Sequence, residues 1–421
     1  MRGLALEGGG ARGAFQVGAI KALYEMGYEF DAVAGTSIGS INGALIAIGD
    51  LDHLVEIWES ADMAHMVNGD AELIKQLVSF EFKSDINKFK QLIVDTIKQG
   101  GLDVTPFREK LRRDVDEAKL RASKIDFGLV TLSLTDLKPI EVFIKDIPEG
   151  KLHDYILASA NYPAFKNEKF DNKKMLDGAF FDNLPIHMLI ERGCDEIVAL
   201  RLNSLGRIRK VPKENDVKII MIEPSEDLGK VLDVDQARAK HNIKLGYYDT
   251  MRVLKQLKGN LYYIDEVPSE EEVLANLLKL PREALIRVKK LIGSEKPVRR
   301  MVFEELLPMI ADFVKANKEY TYSELMLNYY EQMAEQLEVD RFQILTFKAF
   351  VTQINEKLKS DSLKEFSSLD DLSKNLMNLL PTKGYALLPY KTKSHLLVQI
   401  FYILFQNGFW AETTETAQNM V

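Results

Sequence analysis

The sequence predicts an α/β protein with a mainly parallel central sheet flanked by helices, plus a C-terminal helical domain. Near the amino end, an apolar strand twice leads into a glycine-rich turn and then a helix, which is the order that builds a parallel sheet with helices on its faces. Beyond residue 267, helical periodicity dominates and strand character is scarce. We therefore predict an α/β domain over residues 1–265 and a helical domain over residues 266–421.

The two strand–turn–helix units lie within the first ~50 residues, so one pattern is repeated twice in succession. The first has its strand at residues 4–6 and its glycine cluster at 8–13; the second has its strand at 32–34 and its turn at 35–39. Helical periodicity follows each turn, and small side chains on the second helix predict close packing against its neighbours.

Other elements are predicted from apolar runs for strands and from periodic apolar positions for helices. The predicted strands lie at residues 125–132, 140–144, 196–202 and 218–222, of which the first two form a hairpin. The predicted helices lie within residues 51–120 and at 234–257, 285–292, 303–314, 325–337, 342–358 and 396–405.

The bulk composition excludes several classes of protein. The chain has 421 residues, a formal net charge of −8 and a pI of about 5.5, so it lacks the basic footprint of a nucleic-acid-binding protein. Its single cysteine, Cys194, precludes an internal disulfide framework and favours a reducing compartment. No signal-peptide core and no apolar run of about 18 residues is visible. We expect a cytoplasmic protein, and peripheral contact with a membrane stays open.

A GxSxG motif occupies the second glycine-rich turn, as Gly35-Thr36-Ser37-Ile38-Gly39. A serine at a sharp strand-to-helix turn is pushed out of the fold, and the flanking glycines avoid side-chain clashes there. The helix N-terminus also favours developing negative charge. The motif alone is common, but this strand–turn–helix context predicts that Ser37 is a nucleophile rather than a helix cap.

The glycine cluster GGGARG at residues 8–13 exposes backbone N–H groups that can bind an oxyanion or a phosphate. Gly8, Gly10 and Gly13 also fit GxGxxG, so a dinucleotide-binding fold is an alternative. That fold wants an acid at the end of its second strand. Here the second strand leads into the serine turn and Asp31 precedes it, which disfavours the alternative.

A third motif is MLDGA at residues 175–179, where a short apolar step delivers Asp177 to two small residues. Taken alone, Asp-Gly-Ala is an ordinary turn. Together, however, GGGARG, GTSIG and DGA, in this order, resemble the patatin-like phospholipase family. The segment ASANYP at residues 158–163 and the pair Asn183-x-Pro185 also look like family features. The resemblance covers about residues 1–260, and its overall look is that of intracellular bacterial patatin-like proteins.

The resemblance implies a patatin-like α/β hydrolase fold and a Ser–Asp dyad, in which Ser37 attacks an ester carbonyl and Asp177 accepts its proton. It also implies that the glycine loop stabilises the oxyanion, with Gly8, Gly9 and Gly10 as candidate donors and Arg12 in support. No metal and no cofactor is expected. The residues expected to support the motifs are Gly13, Gly35, Gly39, Gly178 and Ala179.

The histidines and the cysteine have bland interpretations. His153 and His187 lie nearest the DGA motif, yet we expect every histidine to be at the surface or hydrogen-bonded rather than part of a triad. Cys194 has no CxxC partner and is expected to be buried. The remaining histidines are His53, His65, His241 and His395.

The predicted partner is a lipid or phospholipid substrate, because the resemblance implies a serine lipid acyl hydrolase. Two alternatives remain open: a soluble-ester or thioester hydrolase on the same site, and a non-enzymatic regulatory or scaffolding protein whose site is silent. The apolar segment 396–405, followed by Phe409 and Trp410, is too short to span a membrane and is expected to be a buried core helix. A lid, a dimer surface or membrane docking are its other interpretations, and the sequence leaves the oligomeric state open.

Overall fold

The protein divides into two compact units, Met1–Leu254 and Lys255–Val421. Its computed structural model describes residues 1–61, 68, 95, 101–166, 169–170, 172–211, 216–317, 319–359 and 388–405. The sequence-based boundary at 265/266 lies further along the chain than this division. The difference arises because the strand Tyr263–Asp265 pairs in parallel with Ile344–Thr346. Residues 255–265, which lie between the two boundaries, therefore belong to the second unit.

The described part of the first unit contains one sheet of eight strands: β1 (Arg2–Leu6), β2 (Ala32–Thr36), β3 (Asp126–Ser133), β4 (Lys138–Phe143), β5 (Lys169–Phe170), β6 (Lys173–Asp177), β7 (Glu196–Leu200) and β8 (Lys218–Ile222). Strands β3, β2, β1, β7 and β8 are neighbours in that order and run parallel. Strand β4 forms the predicted hairpin with β3, and β6 is also antiparallel to β3. The predicted mainly parallel sheet is confirmed.

Strands β2 and β6 share one edge of β3. Strand β2 pairs with the first half of β3 as far as Thr36 opposite Val130, and β6 pairs with the second half, with Asp177 opposite Thr131. Because β4 pairs with β3 over Gly128–Ser133, it occupies the other edge beside both of them. Strands β2 and β6 therefore run towards each other and end at adjacent residues of β3.

Helices pack against the sheet of the first unit. Close approach depends on glycine in two places: a Cβ on Gly39 would lie 2.4 Å from Leu6 O, and a Cβ on Gly18 would lie 1.8 Å from Ile243 O. The small residues of the second helix thus allow the predicted close packing. The described helices are α1 (Ala14–Glu25), α2 (Ile38–Ile48), α3 (Leu51–Glu59), α4 (Thr105–Asp114), α5 (Glu117–Arg121), α6 (Leu152–Ser159), α7 (Ile186–Glu191) and α8 (Gln236–Lys255).

The second unit is mainly helical around its own apolar core. The predicted helix at 342–358 is wrong in its first residues, because Ile344–Thr346 pairs as strand β10 with Tyr263–Asp265 (β9) and the helix begins at Phe347. A π-helical turn, Val302–Leu306, also interrupts the predicted helix 303–314. The described helices are α9 (Glu270–Lys279), α10 (Arg282–Leu291), α11 (Val298–Met301), α12 (Leu307–Phe313), α13 (Tyr322–Gln336), α14 (Phe347–Lys359) and α15 (Tyr390–Phe405).

Helix α15 contains the most apolar segment of the chain. Its residues Leu396, Leu397, Ile400 and Phe401 are buried in the core of the second unit, as the sequence predicted for a core helix. Phe409 and Trp410 lie outside the described residues. Over the described ranges, no helix combines the length and apolar character that a membrane crossing requires.

Candidate active site

Ser37 occupies the sharp turn between β2 and α2, as the GxSxG motif predicted. Its backbone has φ 56° and ψ −125°, a strained conformation for a residue with a side chain. The two motif glycines are required by space, because a Cβ on Gly35 would lie 2.1 Å from Gly39 O. The Ser37 N–H donates to Ser159 Oγ over 3.0 Å, and the Ser40 hydroxyl donates to Ser37 O over 2.6 Å. These bonds hold the strained turn at the carboxyl edge of the sheet.

Ser37 Oγ donates a hydrogen bond of 2.6 Å to Asp177 Oδ2. The strand register accounts for this contact. Ser37 follows the last residue of β2 and Asp177 is the last residue of β6, and these two ends meet on the shared edge of β3. The sheet backbone therefore brings the two side chains together.

Asp177 is almost completely shielded from solvent. Its side chain is 4% exposed, and burial raises the pKa of its carboxyl to about 6 although hydrogen bonds from Ser37 and from Ala179 N–H oppose that shift. The backbone N–H of Asp177 donates to Asn161 O. Burial also raises the pKa of the Tyr162 phenol, and the Asp177 charge adds to that increase. The segment 158–163, noted in the sequence, thus contacts both Ser37 and Asp177.

Gly178 lets the chain leave β6 at this point. A Cβ on Gly178 would lie 2.2 Å from Val130 O, so a larger residue would collide with the backbone of β3. The following residue, Ala179, donates its N–H to Asp177 Oδ1 over 2.8 Å. The Asp-Gly-Ala motif therefore combines a close backbone approach with a donor that orients the carboxylate.

The backbone N–H groups of the glycine loop differ in whether they have an acceptor among the described residues. Gly8 N–H donates to Asn183 O and Ala11 N–H donates to Val231 O, whereas the N–H groups of Gly9 and Gly10 have no acceptor among the described residues. Gly10 has φ 54°, and a Cβ there would lie 2.1 Å from Val231 O. Of the three candidate donors, Gly8 is therefore the one whose N–H is already bonded within the described residues.

Asn183 and Ser204 fix the direction of one of these donors. Both donate to Gly8 O, Asn183 through its amide over 3.2 Å and Ser204 through its hydroxyl. No described peptide bond is cis, and in a trans peptide the C=O of one residue and the N–H of the next point in opposite directions. Because Asn183 and Ser204 hold the Gly8 C=O towards themselves, the Gly9 N–H points away from these two side chains.

Comparison with known proteins relates part of this chain to a family. The profile of the patatin-like phospholipases matches residues 4–190, a range that contains the glycine loop, Ser37 and Asp177. The chain carries a patatin-like phospholipase domain. The resemblance drawn from the three motifs is thereby confirmed over that range.

Individual relatives of the patatin-like domain are distant. The chain is 26% identical over 322 residues to the patatin-like phospholipase domain-containing protein ZK370.4 of Caenorhabditis elegans, a match that covers 71% of this chain and 22% of that protein. It is 29% identical over 206 residues to lysophospholipase NTE1 of Saccharomyces cerevisiae, covering 48% of this chain and 11% of that protein. The matches thus span a minor part of these relatives' length. Among solved structures, VipD of Legionella pneumophila aligns over 100% of this chain and 93% of its own, with a TM-score of 0.40 and 16% identity.

Glu7, directly before the glycine loop, is a residue of the patatin-like domain that the sequence analysis did not single out. Its side chain is fully buried, and burial raises the pKa of its carboxyl against opposing bonds from the Leu202 N–H and from Arg201. Arg201 and the Leu202 N–H donate to Glu7 Oε2, and the Asn183 amide donates to Glu7 Oε1 over 3.3 Å. The sequence does contain a sign of this burial. Glu7 lies between a buried strand and three glycines, a position from which a side chain has little room to reach solvent.

Arg12 contacts backbone carbonyls. Its guanidinium donates to Gly229 O over 2.8 Å and to Asn203 O over 2.8 Å. These bonds tie the loop to the chain segments on both sides of β8. The resemblance implied that Arg12 supports the oxyanion. In the structure its guanidinium bonds to backbone carbonyls of the segments next to the loop.

The described histidines of the first unit have partners away from the dyad. His153 contacts Val115 O, His187 contacts Lys210 O, His53 lies 3.7 Å from Asp114, and His241 pairs with Glu226. Their bonds agree with the bland interpretation made from the sequence; His65 lies outside the described residues. Cys194 is buried, as predicted, and burial raises the pKa of its thiol. Within the described ranges, no cluster of His, Cys, Asp or Glu has metal-ligand geometry.

An apolar cavity of about 140 Å³ begins beside the candidate site. Gly10 and Ile38 form part of its wall, so it adjoins both the glycine loop and the residue after Ser37. It continues along one face of α2 through Ile41 to Leu45, about 10 Å at the rise of a helix. Residues of α3, α4 and the segment before α8 also line the cavity, among them Leu54, Trp58, Leu111 and Val231.

Proposed function

We propose that the protein is a serine lipid acyl hydrolase, of phospholipase A, lysophospholipase or lipase type, with Ser37 as nucleophile and Asp177 as general base. The observation that carries the proposal is the 2.6 Å hydrogen bond from Ser37 Oγ to a carboxylate that is 4% exposed. A nucleophile bonded to a positioned base is the arrangement that covalent catalysis requires. The patatin-like domain, whose family consists of phospholipases, supports the same assignment.

The reaction follows from the roles of the two residues. Ser37 Oγ attacks the carbonyl carbon of the ester while its proton passes to Asp177. The tetrahedral intermediate then collapses, the C–O bond to the alcohol breaks, and Asp177 returns the proton to the leaving oxygen. Water then attacks the carbonyl carbon of the acyl-enzyme while Asp177 takes its proton. The bond from that carbon to Ser37 Oγ breaks, Asp177 returns the proton to Ser37 Oγ, and the fatty acid is released.

A carboxylate is a weak base for an alcohol, and the surroundings of Asp177 reduce this mismatch. Its pKa, raised to about 6 by burial, lies closer to neutrality than that of an ordinary aspartate. The Gly9 and Gly10 N–H groups are the proposed donors to the oxyanion. Because Asn183 and Ser204 hold the preceding carbonyl, the Gly9 donor is oriented before the substrate arrives, which is what electrostatic preorganisation requires.

The substrate is proposed to be a fatty acyl ester. The cavity beside Gly10 and Ile38 is apolar and extends away from the nucleophile, so it suits the hydrocarbon chain of the acyl group. A hydrolase of short soluble esters has no need of such a cavity. Lysophospholipase NTE1, to which part of this chain is similar, is named for a substrate with such a chain.

A fluorophosphonate probe tests the assignment directly. The folded wild-type protein should be labelled once, on Ser37, and should release free fatty acid from phospholipid or lysophospholipid. Ser37→Ala should remove both the label and the activity without changing the thermal melting temperature. Ser60→Ala, a change at an exposed hydroxyl that bonds only to its own helix, is the matched control and should leave both intact. Failure of Ser37 to react in the folded protein would contradict the proposal.

A further inference from the structure

The turn between β3 and β4, residues 134–137, presents two leucines to solvent. Leu137 is 81% exposed and Leu134 is 41% exposed, so neither contributes its full apolar surface to the core. Leu137 has the largest exposed fraction among the exposed large apolar residues of the described chain. Folding alone does not account for two leucines at this tip.

The backbone conformation at position 137 is also unusual for a leucine. Leu137 has φ 53°, the left-handed conformation that favours glycine, asparagine and aspartate. Among the described non-glycine residues with positive φ, Leu137 alone has an apolar side chain. The neighbouring turn before β6 has Asn172 in the same conformation. Strain at an exposed residue that gains nothing from burial points to a function outside folding.

The turn is held in place before any partner binds. Ser133 Oγ donates to Asp136 and accepts from the Asp136 N–H. Lys174 N–H donates to Thr135 Oγ1 over 2.9 Å, and Leu134 N–H donates to Lys174 O over 2.8 Å. The two leucines are therefore displayed on a fixed platform, which lowers the entropic cost of inserting them into a surface.

Positive charge surrounds these leucines. Lys138, Lys173 and Lys174 are exposed beside the turn, and the acidic residues of segments 133–138 and 171–175 are Asp136 and Asp171. Asp136 is paired with Lys173 at 2.7 Å. The local excess of positive charge stands against a chain whose formal net charge is −8. Apolar side chains ringed by lysines match a membrane surface that contains anionic lipid.

The turn lies at the same edge of the sheet as Ser37. Strands β2 and β3 are parallel, with Thr36 opposite Val130, so Ser37 and the end of β3 share the carboxyl edge. Strand β3 continues three residues beyond Val130 to Ser133, which places the turn roughly 10 Å further out than Ser37. A surface touched by the turn would consequently lie beyond the sheet edge that carries Ser37.

We propose that Leu134 and Leu137, with Lys138, Lys173 and Lys174 around them, dock the protein on an anionic lipid surface. The leucines enter the boundary between head groups and acyl chains while the lysines attract the acidic head groups. This proposal rests on the proposed function, because a lipid hydrolase must take its substrate from a bilayer or micelle. It assigns the contact to the β3–β4 turn.

The test measures vesicle binding separately from catalysis. The full chain with Ser37→Ala is sedimented with phosphatidylcholine vesicles that contain or lack phosphatidylglycerol. Adding Leu134→Ser and Leu137→Asn should weaken binding to the anionic vesicles by at least about tenfold. Asparagine suits the left-handed backbone, so the melting temperature should not fall. Leu278→Ser, at a leucine that is 54% exposed in the second unit, is the matched control and should bind normally.

The contribution of the positive charges is tested with Lys138→Gln and Lys174→Gln. Both substitutions keep the backbone hydrogen bonds of the turn. Each change should weaken binding to anionic vesicles by about fivefold, and high salt should abolish the difference. On the Ser37 background, all turn variants should hydrolyse a soluble short-chain ester as the wild type does and lose activity only on vesicles. Unchanged vesicle binding by the double leucine variant, or an equal loss with Leu278→Ser, would overturn the docking site. Absence of hydrolysis of the soluble ester by wild type would instead refute the proposed function.

Discussion

Ser37 Oγ and Asp177 Oδ2 lie 2.6 Å apart although 140 positions separate the two residues in the sequence. The contact is a consequence of β3, whose adjacent residues Val130 and Thr131 pair with the ends of two opposed strands. Because both partners leave a rigid sheet at neighbouring points, their distance depends little on flexible loops. Such placement favours a preorganised dyad.

Replacing Asp177 with asparagine keeps the size and shape of the side chain but removes the proposed proton acceptor. Ester hydrolysis by Asp177→Asn should fall by at least ~10², the low end of the effect of general-base catalysis. Steady-state rates with a soluble ester measure the loss, and circular dichroism checks that the fold persists.

The control for that substitution is Asp182→Asn, five positions further along the same segment. Asp182 is also buried, yet its carboxylate accepts from the N–H groups of Leu184 and Arg209, whereas the Ser37 hydroxyl donates to Asp177. This variant should remain active. An inactive Asp182→Asn beside an active Asp177→Asn would place the base on the wrong carboxylate.

The pH dependence of the rate should report the same carboxylate. Asp177 can accept a proton only when ionised, and its pKa is raised to about 6 by burial. The value of kcat/KM should therefore rise through pH 6 to a plateau at neutral pH, and Asp177→Asn should lack this ascending limb. A limb that survives in the variant would indicate a different base.

Stability should respond to pH in the opposite sense. The pKa of Asp177 is higher in the folded protein than in the unfolded chain, so the folded state binds more protons between about pH 4 and 6 and stability falls as pH rises through that window. Asp177→Asn removes the cost of the buried charge, which is on the order of 2–3 kcal/mol at neutral pH. Its gain in melting temperature over wild type should be larger at pH 8 than at pH 5. An equal gain at both values would contradict the raised pKa.

The glycine loop is tested by Gly10→Ala. The added Cβ would lie 2.1 Å from Val231 O at a residue with φ 54°, so the Gly10 N–H must move away from its present direction. The expected result is a fall in kcat on the order of 10²–10³ with little change in KM, the scale of one oxyanion donor. Gly49→Ala is the matched control, because it imposes a similar backbone strain at φ 85° with open space around it. An effect confined to KM would indicate that the loop binds substrate in another way.

The apolar cavity predicts a dependence on acyl-chain length. Ile41 is half-buried and lines the cavity midway along α2, so Ile41→Trp should fill it. Hydrolysis of long-chain p-nitrophenyl esters should fall while that of the butyrate ester is retained. Ile48→Trp, at a half-buried residue on the same helix outside the described wall, should leave the profile unchanged. Equal loss for all chain lengths would separate the cavity from acyl binding.

The sequence alone determined the local structure around the reacting groups. Strand, GxSxG turn and helix are adjacent in the chain, and their glycines meet short-range steric demands, so the elbow at Ser37 could be predicted without knowledge of the fold. The buried helix at residues 396–405 and the parallel strands were predictable for the same reason, because apolar pattern is a local property. The family resemblance, carried by three short motifs, supplied Asp177.

Only the tertiary structure decided the relationships between distant segments. The meeting of β2 and β6 on one edge of β3, the use of Gly8 N–H by Asn183 and the burial of Glu7 all depend on contacts between residues far apart in the chain. The short strand Ile344–Thr346 was predicted as helix for the same reason, since its partner lies some eighty residues earlier, at Tyr263–Asp265. Strand pairing depends on which segment lies alongside, and the sequence of one segment does not contain that information.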